Sequence, residues 1–143
     1  MNLITAISLA LSVATGTSHS SPPASAQELA KRFAAAINAH SPAAVDALVY
    51  WGTADAHSRE LTEALLGMYE VETIASTHLA PLDASAHTTY HDPNGHVYGP
   101  SLTPAYTLVL KYKHGPEYKV DEGSLTIGSK DGAWYVIAVA RLR

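Results

Sequence analysis

Histidines and tyrosines carry most of the chemistry this chain can offer. The stretch His87-x-x-x-His91-Asp92-x-x-x-His96 sets three imidazoles and a carboxylate close together in sequence. Neutral imidazole with carboxylate is a donor set that zinc, copper or nickel accepts. On an extended strand His87 and His91 share a face, and His91 and His96 flank a Pro93-Asn94-Gly95 turn that draws them together. A metal centre also needs ligands converging at about 2.0–2.1 Å and an outer shell that orients them. A solvated hairpin supplies neither, so a plain loop is the expectation and a His87, His91, His96 metal site the alternative.

A second group is Trp51, Tyr69, His78, Tyr106 and Tyr112. An apolar pocket with a few hydroxyls and one imidazole is how small-molecule sites are commonly built. In such a pocket His78 would be positioned as a general base and a tyrosine as the donor to a developing oxyanion. The competing expectation is that these rings are core, with their polar tips hydrogen-bonded. Other chemistries are excluded. The chain has no cysteine, hence no disulfide, thiolate ligand or Cys nucleophile. It has no Gly-x-Ser-x-Gly elbow, phosphate loop or dinucleotide fingerprint. No cofactor is expected.

These side chains must be positioned by a small set of elements. Ser25 to Ala39 reads as a helix, with a Ser25-x-x-Glu28 capping box and Leu29, Phe33 and Ile37 on one face. Ser41-Pro42 starts a second helix that carries Val45, Leu48 and Val49 and ends near Tyr50-Trp51-Gly52. Thr53 or Asp55 caps a third, running to about Tyr69 with Leu61, Leu65 and Met68 as its buried face and Leu66 beside them. From Val71 the pattern becomes extended. Val71 to Leu79 is stopped by Pro81, and Ala86 to Tyr90 and His96 to Tyr98 flank Asp92-Pro93-Asn94-Gly95. Tyr106 to Lys113 alternates, with Tyr106, Leu108, Leu110 and Tyr112 on one face. His114-Gly115-Pro116-Glu117 turns the chain into Tyr118 to Ile127, and Lys130-Asp131-Gly132 turns it into a last strand, Ala133 to Ala140. That strand is apolar on both faces, so it is either central or meets a second subunit through the sheet.

With 143 residues, 47% hydrophobic and 15% charged, the chain has room for one domain with its own core. A net charge of −4 with scattered basic residues argues against a nucleic-acid surface. Leu3 to Ala14 is apolar, uncharged and too short to span a bilayer, which fits the core of a secretory signal peptide. Residues 1–23 are therefore read as leader and spacer and 24–143 as the domain, with no membrane span once the leader is removed. Three small-x-small triplets could mark the cut: Ser12-Val13-Ala14, Ala14-Thr15-Gly16 and Ala24-Ser25-Ala26. The first two spare the Ser25 cap and are preferred.

Ala26-Gln27-Glu28-Leu29-Ala30-Lys31-Arg32-Phe33, the break at Asn38 to Pro42, and Lys130-Asp131-Gly132-Ala133-Trp134-Tyr135-Val136-Ile137 resemble the opening and closing segments of the NTF2-like, or cystatin-like, cone superfamily. The similarity spans nearly all of residues 24–143 and is nearest to small periplasmic bacterial members without assigned activity. It implies an α+β fold with N-terminal helices packed on a curved antiparallel sheet. Enzymes of the superfamily work inside the cone, between the first helix and the concave sheet face. No Asp–Tyr pair of the steroid-isomerase type falls on matching positions here. The expectation is an exported, periplasmic or secreted, non-enzymatic domain that binds a small ligand or a protein partner, with a homodimer through the sheet face as one form. The alternative is an isomerase- or dehydratase-like enzyme using a histidine and a tyrosine in the cone.

Overall fold

The computed structural model describes residues 20–113 and 121–143. The Leu3–Ala14 segment read as a leader, the His114–Glu117 turn and the start of the strand expected from Tyr118 lie outside the described residues.

Helix α1 spans Ala26–Asn38. The Ser25 side chain accepts from the Glu28 N–H at 3.1 Å, as a cap should. The return arm differs from the expected box: the Glu28 carboxylate accepts from Ala24 N–H at 2.8 Å, one residue further out. At the other end, His40 N–H bonds Ile37 C=O and Ser41 N–H bonds Ala36 C=O. That is a Schellman closure with His40, at φ 50°, in the left-handed position usually given to glycine. Helix α2 is short, Pro42–Asp46, capped by the Ser41 hydroxyl. It stops well before Trp51, because Val49–Tyr50 leaves the helix and forms strand β1, parallel to the last strand of the main sheet. Helix α3 spans Ala56–Glu70, capped by Asp55.

Strand β2, Ile74–Ala80, then leads through a short 3₁₀ turn, Ala84–His87, into β3, Tyr90–His91, and β4, Val97–Pro100. Strands β5, Tyr106–Tyr112, and β6, Glu122–Lys130, are followed by β7, Ala133–Ile137, and β8, Val139–Arg141. The main sheet has the order β1-β7-β6-β5-β2, antiparallel except for β1 with β7. The β6–β7 turn has Asp131 at φ 51° and Gly132 at φ 78°, the paired positive angles of a two-residue hairpin that suits strand twist. The final strand breaks at Ala138. Its first half stays in the main sheet and its second half, β8, pairs with β4 in a three-stranded sheet β3-β4-β8. The chain is therefore an α+β domain, helices first and a mainly antiparallel sheet after.

Core packing follows the two periodicities. Leu29, Phe33 and Ile37 of α1 are fully buried in one cluster with Leu108, Leu110, Ile127 and Val136. Asn38, at the end of α1, holds the start of β2 with both ends of its amide. Its Oδ1 accepts from Ile74 N–H at 2.7 Å and its Nδ2 donates to Ile74 C=O at 3.0 Å. The apolar outer face of β7 also finds cover within the chain. Tyr50 meets Tyr135 at 5.5 Å between ring centroids, and the segment after β4 crosses the sheet so closely that a Cβ on Gly128 would lie 2.5 Å from Thr103 C=O. Strand β7 thus lies inside the sheet between β1 and β6, with Ala133, Tyr135 and Ile137 on its outer face half-buried.

Candidate functional site

Of the five residues expected to share a pocket, the fold brings together two. Tyr69 on α3 and Tyr112 at the end of β5 have ring centroids 6.5 Å apart. The Tyr69 hydroxyl donates to Ser124 C=O at 2.9 Å. Both rings lie over Gly123, where a Cβ would fall 2.1 Å from the Tyr112 hydroxyl and 2.6 Å from Tyr69 Cε1, so the strand needs glycine there. Burial raises the Tyr69 phenol, with the Ser124 hydrogen bond acting against it. Burial, with Tyr69 and Glu72 beside it, pushes Tyr112 up to about 12. Both therefore stay protonated near neutral pH, as hydrogen-bonding phenols and not as bases.

The other three lie elsewhere. His78 pairs with Val109 across β2 and β5, so it is on the opposite face of the sheet from Tyr106, Leu108, Leu110 and Tyr112, and it is exposed. Tyr106 is half exposed and stacks on Trp134 at 5.8 Å. Trp51 sits after β1 with the Arg59 guanidinium 4.5 Å from its ring centroid, a cation–π contact between the β1 end and α3. It borders an open groove of about 420 Å³ between α2 and α3, with Val45 and Leu66 as its apolar wall and Asp46, Glu63 and Glu70 around it.

The histidine stretch folds as a clasp. His87 ends the 3₁₀ turn and is exposed, while His91 is on β3, so the shared strand face expected for them does not form. Among the described residues no three His, Asp or Glu side chains are grouped to hold a metal ion. Asp92 organises the turn: its Oδ1 accepts from the backbone N–H of Asn94 and His96 at 2.9 and 2.8 Å, and its Oδ2 meets His96 Nδ1 at 2.7 Å. Burial alone would raise the Asp92 carboxyl. The hydrogen bonds from the His96 ring and the two N–H groups outweigh that and hold it below its ordinary value. Tyr98 beneath the clasp stacks on Tyr90 at 5.1 Å and meets His57 of α3 edge-on at 5.6 Å.

The clearest departure from expectation is α3. Its inward row is Ser58, Thr62, Leu66 and Tyr69, all buried. The stripe expected to be core is on the surface instead: Leu61 is 37%, Leu65 42% and Met68 68% exposed, and Val71 just beyond the helix 79%. The helix is turned roughly a quarter of a revolution from its apolar stripe. The cause is the sheet beneath it. After Ala138 strand β8 swings away to pair with β4, and the backbone groups left between β6 and β8 need polar partners. Thr62 Oγ1 accepts from Val139 N–H at 3.1 Å while donating to Ser58 C=O at 2.9 Å, and Tyr69 supplies the donor for Ser124 C=O. Thr62 and Tyr69 are thus drawn inward, and Leu61, Leu65 and Met68 outward.

Leu65 also rims a cleft of about 220 Å³ where β6 and β8 diverge, faced by Thr126, Ile137 and Val139 and walled on the far side by Tyr90 and Gly99. A groove of about 460 Å³ lies between Ser20–Pro23, α1 and α2 and is lined chiefly by alanine, serine and proline. None of these three grooves is lined by a histidine, whereas the clasp sets His57 and His96 edge-on to Tyr98. What the arrangement offers chemically is an aliphatic row beside a small hydroxyl-edged cleft, on a helix carrying Glu60, Glu63 and Glu70 against Arg59 alone.

The class that fold and surface define is an α+β domain whose third helix leaves an apolar row exposed. Compared with known proteins, the chain matches no family model, no curated protein and no solved structure.

Proposed function

We propose that this chain is an exported, non-enzymatic binding domain of the NTF2-like kind, and that it docks a protein partner on the outward row of α3. One observation carries this reading: Leu61, Leu65 and Met68 form a helical stripe that the domain's own core leaves in water. Contiguous apolar surface of that sort on a small domain marks an interaction site. Glu63 and Glu70 line the α2–α3 groove on the other side of the helix, so the row selects its partner by apolar contact. Export rests on the Leu3–Ala14 leader. The order of helices before a long antiparallel sheet supports the superfamily likeness.

The non-enzymatic part of the reading is supported by the separation of His78 from Tyr106 and Tyr112, which deprives the isomerase-like alternative of the pair expected for it.

The test is a photo-crosslinking amino acid placed at Met68 in cells that naturally make the protein, with the same probe at Lys31 on α1 as control. A discrete adduct at position 68, lost when Leu65 is changed to Glu, is the expected result. Its mass identifies the partner or reveals a dimer. Indistinguishable adduct patterns at the two positions would overturn the proposal.

A further inference from the structure

Where a leader is cut decides whether the segment after it belongs to the working protein. Here the residues just ahead of the first helix are built into the fold. Pro23 is fully buried. Its C=O accepts from Trp134 N–H at 2.9 Å, so it extends the hydrogen bonding of β7. Ser21 C=O accepts from the Arg32 guanidinium, which also pairs with Glu28. Glu28 in turn holds Ala24 N–H, and its own N–H is capped by Ser25. Ser20 to Pro23 form one wall of the large groove against α1 and α2. These contacts join the segment to β7 and to two turns of α1.

Resting on the export reading, we infer that processing falls upstream of Ser20, after Ala14 or Gly16, and that Ser20 to Ala26 stay with the mature domain as a structural strap. The step is hydrolysis of one peptide bond by a small-residue-specific leader peptidase. Water's hydroxyl goes to the carbonyl carbon of residue 14 or 16, the C–N bond breaks, and the proton goes to the nitrogen of Thr15 or Thr17. Cutting at Ala24-Ser25-Ala26 would discard Pro23, the strand hydrogen bond and the α1 cap together.

Two measurements test this. The full chain is expressed in a secreting bacterium and the mature N-terminus read by intact mass and terminal sequencing. Separately, chains beginning at Thr15 and at Gln27 are made directly and melted. The expected results are a mature terminus at Thr15 or Thr17, and a melting temperature lower by about 10 °C for the chain beginning at Gln27, given the cap and buried residue it lacks. A mature terminus at Gln27, or identical melting of the two shorter chains, overturns the inference and leaves export standing. Recovery of the uncut chain from the cytoplasm overturns the export reading and the cleavage with it, whereas the melting comparison then reports on the strap alone.

Discussion

Leu65 and Leu66 are chemically identical neighbours, and the rotational setting of α3 assigns them opposite fates. Leu66 is 3% exposed and part of the core cluster, whereas Leu65 is 42% and Met68 68% exposed. Truncating a buried leucine to alanine costs the transfer of its lost methylenes plus the cavity left behind, about 3 kcal/mol for a site that relaxes only partly. For a domain of this size each kcal/mol lowers the melting temperature by about 3–5 °C, so Leu66→Ala should melt about 10–15 °C early. Leu65→Ala loses only the shielded part of its side chain, about 1 kcal/mol. Met68→Ala should fall within about 0.5 kcal/mol of the parent, since alanine is also the better helix former. Urea unfolding followed by far-ultraviolet circular dichroism reads all three, with an unchanged slope confirming that stability alone has moved. The reasoning is refuted if Met68→Ala or Leu65→Ala costs as much as Leu66→Ala at every protein concentration, because α3 would then present its leucine stripe to the core. A cost that appears only as protein concentration rises reports instead a row covered by a second copy.

Three further outcomes are expected. Asn38→Ala leaves the Ile74 N–H and C=O without their amide partner and should destabilise by about 1–3 kcal/mol, with early amide exchange at the start of β2 as the specific readout. Gly123→Ala forces a methyl into the space of the Tyr112 hydroxyl and the Tyr69 ring and should cost about 1–3 kcal/mol. Part of that loss should return in the Gly123→Ala, Tyr112→Phe double variant, where non-additivity measures the contact. For Asp92 the folded carboxyl lies below its unfolded value, so its contribution is complete above about pH 4 and drains away as pH falls through the folded value. Asp92→Asn should therefore flatten the acid limb of the stability profile, and an unaltered limb would show that the clasp contributes nothing.

Much of the architecture was legible along the chain because it is set by local physical chemistry. The caps at Ser25, Ser41 and Asp55 are side-chain oxygens answering helix N–H groups, and they start helices where they stand. The period of Leu29, Phe33 and Ile37 reports a buried face directly, and Leu108 and Leu110 alternate into the same core. The Asp131-Gly132 hairpin follows from the few residues that accept two positive φ angles in succession. Candidate site residues were less legible. Tyr69 and Tyr112 meet, but they are separated by 43 positions and joined only because β6 carries a glycine where their rings cross. His78 shares a sheet with Tyr112 and faces away from it, a matter of register between β2 and β5 that no short stretch encodes.

Composition and periodicity by themselves determined an α+β fold with three capped helices ahead of a sheet and a core along α1, because each of these depends on neighbours within a turn or a strand. The rotation of α3, the splitting of the last strand at Ala138 and the clasp around Asp92 were decided only in three dimensions. A helix turns toward whatever satisfies both its apolar side chains and the polar groups it covers. Where β6 and β8 part company, the unpaired backbone outweighed the leucine stripe: Thr62 and Tyr69 were drawn in, and Leu61, Leu65 and Met68 were left facing solvent.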